Sequence, residues 1–278
     1  LNIQFYGYNA FLIETGDKLL AIDPGAMFFY WFRFTSLFPR SKWKDITHVF
    51  ITHGDPDHYW HADRVAKASN AQVIFNSTML RAVNGKLLAL GPRAKGVSFT
   101  TEFNNIHTLT VDETIEIDGM AIRGVKATHG ELLLKIGPFT TIVKPGAEER
   151  IGWGALGFDI NVNGRRVLNL GDTLLHREEW EKYSGPDVLM IPIGGKVAHN
   201  TMNEEEAMQA VKTLNPKHVI PCHYNCPGLF SKSLNPADEE MFKLKVEELG
   251  IPCSILHAGD ELNLYRENHM ASQAGGTD

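Results

Sequence analysis

Two histidines and two aspartates fall within six positions of the stretch ITHGDPDHYW: His53, Asp55, Asp57 and His58. Imidazole and carboxylate together suit zinc, iron or manganese. The four residues follow directly on THVFIT (47–52), a β-branched and aromatic run that reads as a buried strand. Side chains on a loop leaving such a strand can converge, because the strand fixes the loop's origin. A solvated turn would explain the glycine, aspartates and proline, but it has no need of two histidines. Taken alone, the stretch fits either reading, since short motifs carry a false-positive risk.

Three later stretches repeat the arrangement. KATHG ends a strand at His129, LNLGDT ends one at Asp172, and VIPCHY ends one at His223. A satisfied buried histidine or aspartate explains any one of these. Four strand-end clusters in one chain are hard to obtain that way, and they point to a metal site.

The elements that must position these residues are strands. Periodicity predicts them over 2–7, 10–14, 18–23, 72–75, 113–118, 120–127, 187–193, 218–223, 252–257 and 261–265. GFDINVN (157–163) and RRVLNLGD (165–172) flank Gly164 as a hairpin. Helices are expected over 61–69, 204–214 and 237–249; Asn203 and Glu206 form a capping box for the second, and Gly250 stops the third. Strand-rich blocks that end in helices suggest sheets between helical layers, in one domain over 1–266. The tail 267–278 lacks a core pattern and is expected to be disordered or partly of expression-vector origin.

In this order, HxDxDH, then His, then GDT, then a His after IP, the chain resembles the metallo-β-lactamase superfamily. The likeness runs from IQFYGYNAFLIE and LLAIDPG to IPCHYN, nearly the whole chain. PIGGKVAHNTMNEEEAMQAVKTLNPKHVIPCHYN is similar to the branch of small metal-dependent hydrolases that includes ascorbate-6-phosphate lactonase. GWGALGF resembles the phospholipase D that cleaves N-acyl phosphatidylethanolamines. The resemblance implies an α/β (α+β) fold, a four-layer αββα sandwich with two divalent metal ions at one edge. It implies His53, Asp55 and His129 on one metal, Asp57, His58 and His223 on the second, and Asp172 bridging them. A bridging hydroxide would then be the nucleophile, because a metal lowers its water's pKa toward ~7 and two metals ~3.5–4 Å apart clamp attacking and leaving oxygens. Asp57 would also orient that hydroxide.

The chain departs from the family pattern at Asp55, where most members carry histidine. The flavo-diiron branch has glutamate there and binds iron, so iron or manganese is expected ahead of zinc. Tyr8 in YGYNAF stands where relatives often have GHA. Tyr59 and Trp60 in DHYWHAD replace smaller residues, with His61 close by.

Among other candidates, His199 in GGKVAHNTM would protonate a leaving group or bind a substrate phosphate with Lys196, or would be a loop histidine in solvent. Trp153 would wall the pocket or pack in the core. Cys222 points away from His223 by strand alternation, and Cys226 is a remote alternative ligand. His48, His107, His176, His218, His257 and His269 show no partner pattern.

Composition narrows the function classes. The net charge of −6 argues against a nucleic-acid binder, which needs a basic face. Three cysteines give no disulfide framework and fit a reducing cytoplasm, and residues 2–23 show no signal-peptide pattern. AMFFYWFRFTSLF (26–38) is too short to span a membrane and contains Arg33. It reads as a hydrophobic loop packed on the domain or in a homo-oligomer contact, or as a lid over the pocket. As a lid it would admit a small-molecule substrate with apolar bulk, its anionic group met by Arg33, Arg40, Lys42 and Lys44. The expected function is metal-dependent hydrolysis of a small ester, lactone or phosphodiester. The alternative is a diiron redox enzyme of flavo-diiron type with an external electron donor; a non-catalytic scaffold fits poorly with an intact ligand set.

Overall fold

The computed structural model describes residues 1–30, 33–83, 86–91, 99–101, 103–136, 139–146, 151–227 and 235–264. The expected tail, 267–278, and His269 lie outside them, as does the side chain of Arg33.

Two sheets carry the fold. The first orders its strands Ile106–Leu109, Gln72–Asn76, His48–Ile51, Lys18–Ile22, Phe11–Thr15, Asn2–Phe5 and Glu261–Asn263. The second orders them Thr114–Ile117, Met120–Lys126, Leu156–Val162, Arg165–Asn169, Val188–Pro192 and Val219–Cys222. Strand alternation sorts side chains to the two faces. Phe11, Ile13, Leu20, Phe50 and Ile74 turn inward to meet Ile122, Phe158, Val167, Met190 and Ile220 of the other sheet. Phe50 and Phe158 cross this interface edge to face, with ring centroids 5.3 Å apart.

The opposite faces are covered by helices. Ala62, Val65 and Ala66 of helix Ala62–Ser69 pack with Val49, Ile51 and Val73. On the second sheet, Ala207, Val211 and Leu214 of helix Glu204–Leu214 and Phe242 and Val246 of helix Glu239–Glu247 cover Leu168, Leu189 and Val219. Because both faces of His48–Ile51 and Val188–Pro192 are covered, all their residues are buried and their sequences are apolar without alternation. The layers follow the expected αββα order. The Asn203–Glu206 capping box is present, the Asn203 side chain accepting from the Glu206 amide at 3.0 Å and the Glu206 carboxylate from the Asn203 amide at 3.0 Å.

Three differences from the sequence expectation matter. Segment 26–38 is a hairpin at its base, Ala26–Tyr30 paired with Arg33–Ser36, rather than a loop, and Leu37 and Phe38 are buried in the core behind the first sheet. A second hairpin joins Leu132–Ile136 to Phe139–Val143. The expected strand 252–257 reduces to one bridge between Cys253 and Val219. Pro252 has no amide proton to give a ladder; its carbonyl accepts from the Val219 amide at 2.9 Å.

Candidate metal centre

The loops that leave the carboxyl ends of four strands meet at one edge of the sandwich. His48–Ile51 leads to His53, Asp55, Asp57 and His58; Met120–Lys126 leads to His129; Arg165–Asn169 leads to Asp172; Val219–Cys222 leads to His223. Potential ligand atoms of His53, Asp55 and His129 lie within 4.8 Å of one another, as do those of Asp57, His58 and His223. A third such group, His53, His58 and Asp172, links the two. Asp55 Oδ2 is 3.4 Å from both His53 Nε2 and His129 Nε2. Asp57 Oδ2 is 3.4 Å from His58 Nε2 and 3.3 Å from His223 Nε2. Asp172 Oδ2 reaches both sides: it is 2.9 Å from His223 Nε2, 3.6 Å from His58 Nε2 and 3.8 Å from His129 Nε2. All are buried except Asp57, which is half-buried.

All four imidazoles are held by Nδ1. His58 Nδ1 lies 2.7 Å from Asp23 Oδ2. His129 Nδ1 donates to the Gly130 carbonyl at 2.8 Å. Thr52 Oγ1 donates to Asp23 Oδ2 at 2.6 Å, so it accepts from His53 Nδ1 at 3.1 Å. His223 Nδ1 lies 2.8 Å from the Asn235 side-chain amide. At His53, His58 and His129 the partner accepts, which fixes the proton on Nδ1 and leaves the Nε2 lone pair as the ligating site. His53 Nε2, His58 Nε2 and Asp172 Oδ1 are buried with no hydrogen-bond partner among the described residues. Buried polar atoms without partners are costly, and a cation at their focus would satisfy all three. The chemistry of the donor set therefore fits divalent metal ions.

Electrostatics agree. Burial opposes ionisation of Asp172, but the His223 and His58 imidazoles outweigh it and hold the carboxyl far below the usual carboxylate range. Burial likewise opposes ionisation of Asp57, and His58 with His223 again lowers it. Burial disfavours the charged form of His223, yet Asp172 and Asp57 push it up to about 9. The pocket thus holds carboxylates ionised and draws positive charge toward them.

Sequence reasoning missed the residues behind this shell. Asp23 ends the strand Lys18–Ile22 just as the ligand candidates end theirs, a signal that was open to reading. Asn9 donates to Asp23 Oδ2 at 2.6 Å and exchanges hydrogen bonds with Asn169, whose Oδ1 accepts from the Gly171 amide next to Asp172 at 3.0 Å. Gly152 donates its amide to Asp55 Oδ1 at 2.9 Å. A Cβ on Gly152 would lie 2.1 Å from the Cβ of His129, and its φ is +67°. Tyr8, Asp23, His199 and His223 also have left-handed backbone, with φ of 52°, 51°, 57° and 51°. Such strain in residues other than glycine collects at functional sites.

The remaining candidates separate clearly. His199 is exposed, and its backbone carbonyl lies against Gly130, beside His129. Lys196 is exposed as well. Trp153 packs in the core, and its carbonyl accepts from the Gly54 amide at 3.0 Å. Cys222 is a core thiol near Asn9, as alternation required. Cys226 is buried in the core and joins none of the three ligand groups. Tyr8 sets its ring edge to face with His223, centroids 5.9 Å apart, and its carbonyl accepts from the His223 amide at 2.8 Å. Tyr59 is a core residue, and His61 packs on Trp43. No helix among the described residues is long and apolar enough to cross a membrane.

Comparison with known proteins agrees with this geometry. Residues 2–223 match the family model of the beta-lactamase superfamily domain. A UPF0173 metal-dependent hydrolase of Pyrococcus abyssi is 30% identical over 267 residues, 95% of this chain and 100% of that protein. The solved metallo hydrolase Igni18 of Ignicoccus hospitalis superposes with a TM-score of 0.64 at 23% identity, covering 94% of this chain and 97% of that one. CmlA, a diiron β-hydroxylase of Streptomyces venezuelae, shares the fold with a TM-score of 0.65 at 15% identity, over 95% of this chain and 54% of its own. From the match along residues 2–223 and the likeness to a full-length relative, the chain belongs to the metallo-β-lactamase superfamily and is one of its metal-dependent hydrolases.

Proposed function

We propose that this hydrolase cleaves a small ester, lactone or phosphodiester with two divalent metal ions. His53, Asp55 and His129 would hold one and Asp57, His58 and His223 the other, with Asp172 available to both. The observation that carries this reading is the aim of the four imidazoles, each tied at Nδ1, with Nε2 turned toward the carboxylates. When bound, such ions would supply Lewis acidity at the scissile carbonyl or phosphoryl group and lower the pKa of water toward about 7.

The chain's own residues do the rest. Asp57, half-buried and held ionised by His58 and His223, would orient the nucleophile by accepting a hydrogen bond from it. His199, exposed on the loop that crosses His129–Gly130, delivers a proton to the leaving group. Asp55 places a hard anionic oxygen between two imidazoles, which favours iron or manganese over an all-imidazole zinc set.

The test is a panel of chromogenic lactones, esters and phosphodiesters with protein loaded with zinc, manganese or iron. Asp172→Ala should abolish hydrolysis and lower metal content, since both ions lose a shared ligand. Two metals retained with near-normal turnover would overturn the assignment. One observation, the carboxylate at Asp55, also favours a diiron redox reading. Oxygen consumption by the iron-loaded protein with a reductant, and no hydrolysis of the panel, would select it.

A further inference from the structure

A cavity of about 630 Å³ opens between the base of the hairpin and the start of helix Ala62–Ser69, lined by Thr35, Ser36, Phe38, Arg40, Trp60 and Arg64. Its size is that of a small-molecule site. We propose that it is a subsite for an oxyanion, a phosphate or a carboxylate, carried by the substrate at a distance from the bond that breaks. The proposal rests on the hydrolytic reading above and adds to it a substrate class.

Charge is the first argument. Arg40 and Arg64 both face the cavity, and neither is in an ion pair with a described residue. Arg64 sits in the first turn of its helix, where the positive end of the dipole disfavours a cation. Two guanidinium groups on one cavity repel each other, and an anion between them removes that cost. The planar guanidinium fork matches the spacing of carboxylate and phosphate oxygens. Arg40 also lies over the Trp43 ring, 5.7 Å from its centroid, a cation–π contact that limits its wandering.

Position is the second argument. Trp60 directly follows the helical turn Pro56–Tyr59 that carries Asp57 and His58, so one short element carries both a wall of the cavity and two of the candidate ligands. On the other side, Ser36 pairs with Ala26 and Thr35 with Met27. The hairpin leaves Gly25, where an added Cβ would come 1.7 Å from the Asp57 carbonyl oxygen. The hairpin base is therefore seated on the helix that carries two of the candidate ligands, and both wall the cavity. Phe38 and the Trp60 indole give it apolar surface beside the charges, suited to a substrate with a flat or aliphatic body. Contacts remote from the reacting bond can hold that bond in place for attack.

Matched substrates test the idea: pairs of chromogenic esters that differ only in a remote phosphate or carboxylate. The wild type should prefer the charged member of each pair. In Arg40→Ala/Arg64→Ala, the ratio of kcat/KM for charged over neutral should fall about ten- to a hundredfold, mostly through KM. Phosphate and carboxylate pairs, run in parallel, tell which oxyanion is preferred. Calorimetric titration of phenyl phosphate into the metal-loaded wild type and double variant reads binding without turnover, and the variant should lose a binding event. Unchanged ratios and superimposable isotherms would overturn the subsite while leaving the hydrolase reading intact. A lost binding event with no hydrolysis of any pair would keep the subsite and sink that reading.

Discussion

Asp55 is the residue at which this chain parts from an all-imidazole first site. Its Oδ1 accepts from Gly152 and its Oδ2 faces His53 and His129, so the carboxylate is held by one oxygen and presented by the other. A carboxylate held in that way is a defined donor, whose hardness would shift the choice of metal toward iron or manganese. Asp55→His should raise the zinc share when the protein is loaded from equimolar zinc, iron and manganese. Elemental analysis of both forms decides the matter, and an unchanged metal ratio would remove Asp55 from the ligand set. At this scale the sequence was informative for a simple reason. His53, Asp55, Asp57, His58, His129, Asp172 and His223 each stand next to an apolar strand, and the strands converge. Asn9, Asn169 and Asn235 were not legible, because polar residues of that kind are common and their partners lie elsewhere in the chain. Asn9 meets Asn169 from 160 positions away.

The turn 151–154 shows how an element builds a site without contributing a ligand. Gly152 approaches His129 so closely that only hydrogen fits at its Cα, while its amide holds Asp55. Gly154 lies against Met79 with φ of +76°. The turn thereby ties together two loops that leave different sheets. Gly152→Ala adds a Cβ where there is no space, on left-handed backbone. It should cost about 2–5 kcal/mol and reduce metal content, read by denaturant unfolding and elemental analysis. Wild-type stability with full metal loading would show that the turn is a bystander. In the sequence, GWG carried family likeness but no mechanism, since a glycine's need for space depends on a neighbour that the sequence does not identify. The hairpin in 26–38 escaped for the opposite reason: a nearly continuous aromatic run has no alternation from which to read a strand. The central strands and the three longer helices were legible because burial on one or both faces leaves a periodic or unbroken apolar record.

For the whole molecule, the candidate metal centre is a joint between the two sheets. Asp23 and the 53–58 turn leave the first, His129, Asp172 and His223 leave the second, and Asn9 and Asn169 close a hydrogen-bonded link between them. Each ion bound there would stabilise the folded state alone, by about 4 kcal/mol at a thousandfold excess over its Kd. At about 2–4 °C per kcal/mol for a chain of this class, chelation should lower Tm by roughly 8–16 °C for each ion removed, and readdition of metal should restore it. A Tm indifferent to EDTA, with metal removal verified, would mean that the edge is stable without ions. The left-handed backbone at His199 bears on heat resistance in another way. Its conformation costs about 1 kcal/mol that glycine would not incur. His199→Gly should raise Tm by about 2–4 °C and, with the imidazole gone, slow turnover by about 10²–10⁴-fold; an unmoved Tm would show that no such strain is stored there. Selection of variants for thermal tolerance alone would favour that replacement, so directed evolution of this protein must screen for catalysis in every round or it will breed a sturdier, inert descendant.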